Sequence, residues 1–189
     1  LLKNVTENAL LLLTLETGIM VVGRAFAGPV VHKFSPQGVL IISSILAAAG
    51  LYIFGHSSGS MLFVGAIVFG MGVCYFWPTM LGFVAENLPR TGAVGLNLMG
   101  GAGMLAVSLY TIIMGGYYDK LIVAKLGADK PLAAYTAPSA TPDMINALAE
   151  AKKAAGPQII NATLIIPIIL IAAFIALFIY TRSRKKVVY

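Results

Sequence analysis

A single carboxylate, Glu16, lies near the middle of a long apolar run and is the residue best suited to do chemistry in this chain. An ionised carboxylate in hydrocarbon costs on the order of 2.5–3.5 kcal/mol, so it needs a partner, water or a proton. Arg24 lies about 12 Å further along a helix and roughly 80° around it, too far to pair directly. We therefore predict that Glu16 faces an aqueous cavity, where it can bind a solute hydroxyl or a proton. The alternative is a helix that starts later, with Glu16 at the headgroups.

Aromatic residues precede a proline in another apolar run, at residues 75–78. Pro78 has no N–H and cannot donate to the Cys74 carbonyl, which predicts a kink there. Sugars stack their apolar faces on aromatic rings while their hydroxyls bind polar groups, so Tyr75 and Trp77 are candidate solute contacts. The alternative for Trp77 is a residue of the membrane–water interface.

Asn97 is the strongest uncharged polar side chain in a further apolar run. Its amide is a candidate solute contact, although pairing with a neighbouring helix is the preferred interpretation. The glycines around it do not predict a phosphate-binding loop, because no strand precedes them and no lysine follows. Two histidines and one cysteine predict no metal site. No nucleophile–base pair is visible in the apolar runs, so we expect neither an enzyme nor a bound cofactor.

The composition indicates that these residues lie in a membrane protein. The chain is 59% hydrophobic and 11% charged, whereas a soluble domain has roughly 25% charged residues. The net charge of +6 does not indicate nucleic acid, because the one dense basic group, at residues 182–186, directly follows an apolar run. This pattern is typical of a cytoplasmic flank of a membrane span.

Five runs are long enough to cross a bilayer core of roughly 30 Å, which needs about 20 helical residues. We predict spans at residues 8–31, 39–55, 61–84, 92–117 and 158–181. Because backbone in hydrocarbon must satisfy its own hydrogen bonds, these spans are expected to be helices, which predicts an all-α membrane helix bundle. The second and fifth are almost entirely apolar and are expected to face lipid.

The segment 118–157 has nearly balanced charge and is predicted to be a long outer loop. Thr141 is typical of a helix N-cap, with Pro142 at the first helical position and Asp143 in the first turn. We predict a short amphipathic helix at residues 142–155, ended by Gly156.

Basic residues in the short turns predict the orientation. Lys33 and Arg90 lie in the first and third turns, whereas the second turn, around His56, has neither Lys nor Arg. The excess of Lys and Arg in cytoplasmic loops predicts a multi-pass protein of the cell (inner) membrane with a cytoplasmic C-terminus.

The motif Gly23-Arg24-x-x-x-Gly28 and the basic turn after it resemble the loop between the eighth and ninth helices of major facilitator superfamily transporters. Within that superfamily, the stretches 32–39, 77–82, 100–103 and 115–119 are most similar to fucose permease-like sugar:proton symporters. The resemblance covers residues 10–120. One departure is His32, because the superfamily loop carries an aspartate at that position, and a gating salt bridge cannot be carried over.

The resemblance implies helices eight to twelve, the C-terminal half of a transporter, so we expect a fragment whose partner is the missing N-terminal half. It implies a secondary active transporter that moves a small polar solute, a sugar with protons, across the lipid bilayer by alternating access. The first, third and fourth spans would then line the path, and Gly23, Arg24, Gly28 and Pro78 would serve gating or structure. Arg24 can instead be a simple anchor on the positive side of the membrane.

Two other functions remain open. One is a carrier of the same fold for a nucleoside or an organic acid. The other is a non-transporting membrane sensor or enzyme, which would require a converging catalytic set.

Overall fold

The computed structural model describes residues 2–57, 59–127 and 131–185, which are 90% helical and contain no strand in these ranges. The prediction of an all-α chain is confirmed for this part. Four helical stretches are long and apolar enough to cross a membrane: Pro36–His56, Met61–Asn87, Pro89–Leu126 and Pro142–Ser183. They contain the second to fifth predicted spans, so the chain has the helices of a membrane protein.

The elements follow one another with short connections. In chain order they are α1 (Leu2–Ala25), α2 (Ala27–Phe34), α3 (Pro36–His56), α4 (Met61–Val73), α5 (Phe76–Asn87), a 3₁₀ turn (Pro89–Thr91), α6 (Gly92–Leu126), α7 (Leu132–Thr136), α8 (Pro142–Thr163) and α9 (Ile165–Lys185).

The first predicted span, residues 8–31, is formed by α1 and part of α2, which are separated by a turn at Phe26. This region is not among the four stretches that meet the length and hydropathy criteria within the described residues. That α1 crosses the bilayer therefore stays a prediction. Its position is fixed by packing against α4.

The helix α3 lies at the centre of the bundle and packs against α4, α9, α8, α5 and α2. The expectation of a lipid-facing helix at the periphery therefore differs from the structure for this span. Its buried face carries small residues, Ser43, Ser44, Ala47 and Gly50. Small residues let helix backbones approach closely in a membrane. At the contact with α4, a β-carbon built on Gly72 would lie 2.5 Å from the Ala47 nitrogen.

The predicted N-cap of α8 is present, whereas the end of this helix differs from the prediction. Thr141 caps α8, because its hydroxyl accepts a hydrogen bond from the Met144 N–H at 3.4 Å. The helix predicted for residues 142–155 nevertheless continues through Pro157 to Thr163. Pro157 removes one backbone bond, but continuing the helix satisfies the other backbone groups of a segment that enters an apolar span.

The helix α6 also extends beyond its predicted end at residue 117, to Leu126. The added turns pack on the first half of α8. There Ile122 of α6 is 1% exposed, because it is covered by Leu148, Ala151 and Ala155 of α8. Further along the same pair of helices, the Tyr110 hydroxyl and the Thr163 hydroxyl are hydrogen bonded at 2.9 Å. The two helices are therefore in contact at two levels, through the apolar core around Ile122 and through the Tyr110–Thr163 hydrogen bond.

Candidate functional site

The span Met61–Asn87 is interrupted near its middle. The helix α4 ends at Val73, and α5 begins at Phe76. The Cys74 N–H still donates to the Gly70 carbonyl at 3.0 Å, but Pro78 has no N–H to donate to the Cys74 carbonyl. The break thus lies where Pro78 predicts it. Residues 74–75 form a joint at membrane depth whose dihedrals stay in the right-handed helical region, while the regular hydrogen-bond ladder is interrupted.

The three aromatic residues at this joint contact three different helices. A β-carbon built on Gly23 of α1 would lie 3.9 Å from the Tyr75 hydroxyl. Phe76 packs against Phe174 of α9, with ring centroids 6.2 Å apart. Trp77 packs against α6, where a β-carbon built on Gly103 would lie 3.2 Å from the indole ring. The joint therefore connects α1, α9 and α6.

A cleft of about 640 Å³ opens between α1, α3 and this joint. Its lining residues are Thr14, Leu15, Gly18, Ile19, Val22, Gly23, Leu46, Met71, Cys74 and Tyr75. The Thr14 hydroxyl already donates to the Leu10 carbonyl, and the Cys74 thiol to the Met71 carbonyl. The Tyr75 hydroxyl lies beside the same thiol and interacts with it, so the cleft presents an apolar surface.

Glu16 lies at the same interface but does not line this cleft. Its side chain is half-buried against α4, since a β-carbon built on Gly70 would lie 3.5 Å from the Glu16 Cγ. No basic side chain in the described ranges forms an ion pair with it. The carboxylate is therefore held by its methylene groups at a helix contact, with its charge unpaired in this part of the chain.

Asn97 lies on the exposed surface of α6. None of the residues in the most apolar stretch of this helix is buried. Trp77, 43% exposed, contacts the same helix one to two turns further along. The structure thus places Tyr75 and Glu16 on the α1 side of the joint, and Trp77 and Asn97 on its α6 side. The four predicted solute contacts do not form one pocket within the described residues.

The predicted gating residues also differ in whether they contact the joint. Gly23 lies in close contact with the joint, because a β-carbon there would come 2.9 Å from the Cys74 Sγ. Arg24 is exposed at the end of α1 and has no ion-pair partner among the described side chains. Gly28 lies in open space, with nothing within 4 Å of the place that a β-carbon would occupy. Of the two glycines, only Gly23 is required by packing.

One buried polar group was not identified from the sequence. Thr79, in the first turn of α5, is 1% exposed, and its hydroxyl has no hydrogen-bond partner among the described residues. A threonine in a helix usually donates to a carbonyl one turn earlier. The signal available in the sequence was its position directly after Pro78, where the helix has just restarted.

The cleft was also missed, although its pattern is present in α1. Thr14, Gly18 and Val22 recur every four residues and form one face of the helix. Among the described residues, no group of three His, Cys, Asp or Glu side chains comes together to hold a metal ion. No protein family, curated protein or solved structure matches the chain.

Proposed function

We propose that this chain forms the C-terminal half of a major facilitator-type secondary transporter. It moves a small polar solute, a sugar together with protons, by alternating access. The observation that carries the proposal is the joint at residues 74–75, with 13 helical residues before it in α4 and 12 after it in α5. Pro78 frees the Cys74 carbonyl at membrane depth, and such a group must be satisfied by neighbouring helices, side chains or ordered water. Transporters build their solute sites on such discontinuous helices.

The contacts of the joint support a role in movement. Tyr75 touches α1 and Trp77 touches α6, the two other helices proposed to line the path. A solute that binds beside the joint acts on both neighbours, because each is in direct contact with one of its aromatic rings. Asn97 offers an amide to solute hydroxyls from α6, and Glu16 offers a proton-binding group from α1.

The proposed orientation places the C-terminus and Arg24 on the cytoplasmic side of the cell membrane. Gly23 lets α1 approach the joint closely. Arg24 at the end of α1 and Gly28 at the start of α2 lie on either side of the turn at Phe26, near the cytoplasmic surface. The remaining surface of α6 would face the N-terminal half of the same transporter.

Uptake measurements on the full-length protein test this proposal. In proteoliposomes with an inward proton gradient, we expect one of a panel of labelled sugars to accumulate, and a protonophore to abolish that accumulation. Glu16→Gln removes the proton-binding group and should leave exchange of solute without gradient-driven accumulation. The matched control is Glu86→Gln, at the exposed end of α5, which should behave as the parent.

Nucleosides and organic acids are tested in the same vesicles. Uptake of one of these instead of a sugar would replace the proposed solute class while keeping the transporter. Absence of any carrier-mediated flux across all three panels would reject transport.

A further inference from the structure

The cleft beside the joint lies at the depth of the hydrocarbon core. Leu46 lines it from the middle of α3, and Met71 lines it from α4, both within stretches apolar enough to cross a membrane. Its α1 wall runs from Thr14 to Gly23, about 13 Å along the helix axis. That length is close to one leaflet of a core roughly 30 Å thick.

The lining selects an apolar occupant. Thr14 and Cys74 have their donors engaged with backbone carbonyls, so a sugar in this cleft would leave most of its hydroxyls without partners. Unpaired buried hydroxyls are unfavourable, and apolar cavities of this kind do not retain water. A flexible hydrocarbon chain fills such a space without requiring polar contacts.

A positive charge lies at one end of the cleft. Arg24 directly follows Gly23, the last lining residue of α1, and is exposed. No carboxylate in the described ranges pairs with it. A guanidinium binds phosphate oxygens through two parallel hydrogen bonds, and the cytoplasmic leaflet carries the anionic lipids.

We propose that this cleft is a binding site for one anionic phospholipid of the cytoplasmic leaflet. An acyl chain lies along the Thr14–Gly23 face of α1, between α1, Leu46 and Met71, and the head-group phosphate pairs with Arg24. Tyr75 lines both this cleft and the proposed solute path, and the leaflet follows from the orientation proposed above. Lipid binding itself does not depend on transport.

Lipid occupancy of the purified full-length protein tests the proposal. Native mass spectrometry would measure binding of phosphatidylglycerol and phosphatidylcholine with identical acyl chains. We expect phosphatidylglycerol to be preferred about fivefold, as one basic residue at an anionic surface provides. Arg24→Gln should abolish the preference, and Arg24→Lys should retain most of it. The matched control Arg90→Gln removes an exposed arginine from another turn and should change nothing.

A second variant tests the acyl-chain part. Gly18→Leu places a side chain into the cleft from a position with nothing within 4 Å of its β-carbon, so it should fold and lower the occupancy by both lipids. Gly101→Leu, in equally open space on α6, is its control. Equal binding of the two lipids, equal effects of Arg24→Gln and Arg90→Gln, or unchanged occupancy in Gly18→Leu would overturn the proposal. Displacement of the phospholipid by equimolar oleate would also overturn it, in favour of a fatty-acid site.

Discussion

Gly23 of α1 lies directly against Cys74 at the joint between α4 and α5. A β-carbon built on Gly23 would come 2.9 Å from the Cys74 Sγ and 3.4 Å from its Cβ. Real β-carbons essentially never approach a neighbour as closely as the first of these distances, so the contact needs a residue without a side chain. The position of α1 on the bundle therefore depends on this glycine.

Gly23→Ala should destabilise the protein by about 1–3 kcal/mol, the usual cost of overpacking. Cys74→Ala removes the opposing sulfur, so the double variant should recover most of that loss. The measurement is a thermal unfolding midpoint in detergent for the single and double variants. Gly28→Ala, in open space, is the control. Simple additivity of the two substitutions would contradict the proposed contact.

Gly72→Ala should destabilise the α3–α4 contact at least as strongly. The new methyl group would meet the Ala47 nitrogen at 2.5 Å and the Ser43 oxygen at 2.9 Å, and backbone atoms cannot move aside as a flexible side chain can. We expect a loss of about 1–3 kcal/mol in the same unfolding assay. Gly82→Ala, with nothing within 4 Å, should be neutral. If both variants unfold together, the close approach of α3 and α4 is not required.

Gly103→Leu should displace the Trp77 ring from α6. The β-carbon alone would lie 3.2 Å from the indole, and a leucine side chain would occupy the space of the ring. Trp77 is the only tryptophan, so its fluorescence reports this one contact. We expect stronger quenching by lipids brominated on their acyl chains, and no change in Gly101→Leu, which points into open space. Unchanged quenching in Gly103→Leu would exclude the ring–helix contact.

Thr79→Val should stabilise the folded protein or leave it unchanged. The buried hydroxyl has no partner within the described part of the chain, and leaving such a group unpaired costs about 1–3 kcal/mol, which the isosteric valine avoids. Thr79→Ser keeps the hydroxyl and should not give the gain. The unfolding midpoint distinguishes the two variants. A clear loss of stability in Thr79→Val would mean that the hydroxyl has a partner in the intact protein.

The order and type of the helices could be predicted from the sequence, because the length of each apolar run and the Pro and Gly residues between runs are local signals. The position of the joint followed from Pro78 alone. The end of α8 could not be predicted in this way. Gly156 and Pro157 usually stop a helix. Here Ala151 and Ala155 pack against α6 just before them, and the helix continues into the apolar segment that follows.

The arrangement of the candidate site was less predictable because it depends on helix partners. Tyr75 and Trp77 were both predicted to contact the solute. Consecutive helical residues differ by 100° in direction, and Tyr75, Phe76 and Trp77 contact three different helices. Which helix each ring contacts cannot be read from the chain. The sequence did contain a signal for the central position of α3, since the small residues Ser43, Ala47 and Gly50 recur at the spacing of a helix-contact face.

The core around Ile122 has a consequence for how the protein is threaded through the bilayer. Because Ile122 of α6 packs on Leu148 of α8, both segments must reside in the same compartment. Whichever side receives Leu126 also receives Pro142. Lys125 is exposed and the single native cysteine, Cys74, is buried. A Lys125→Cys variant labelled from one side with a membrane-impermeant maleimide would thereby establish the sidedness of both helix ends with a single label.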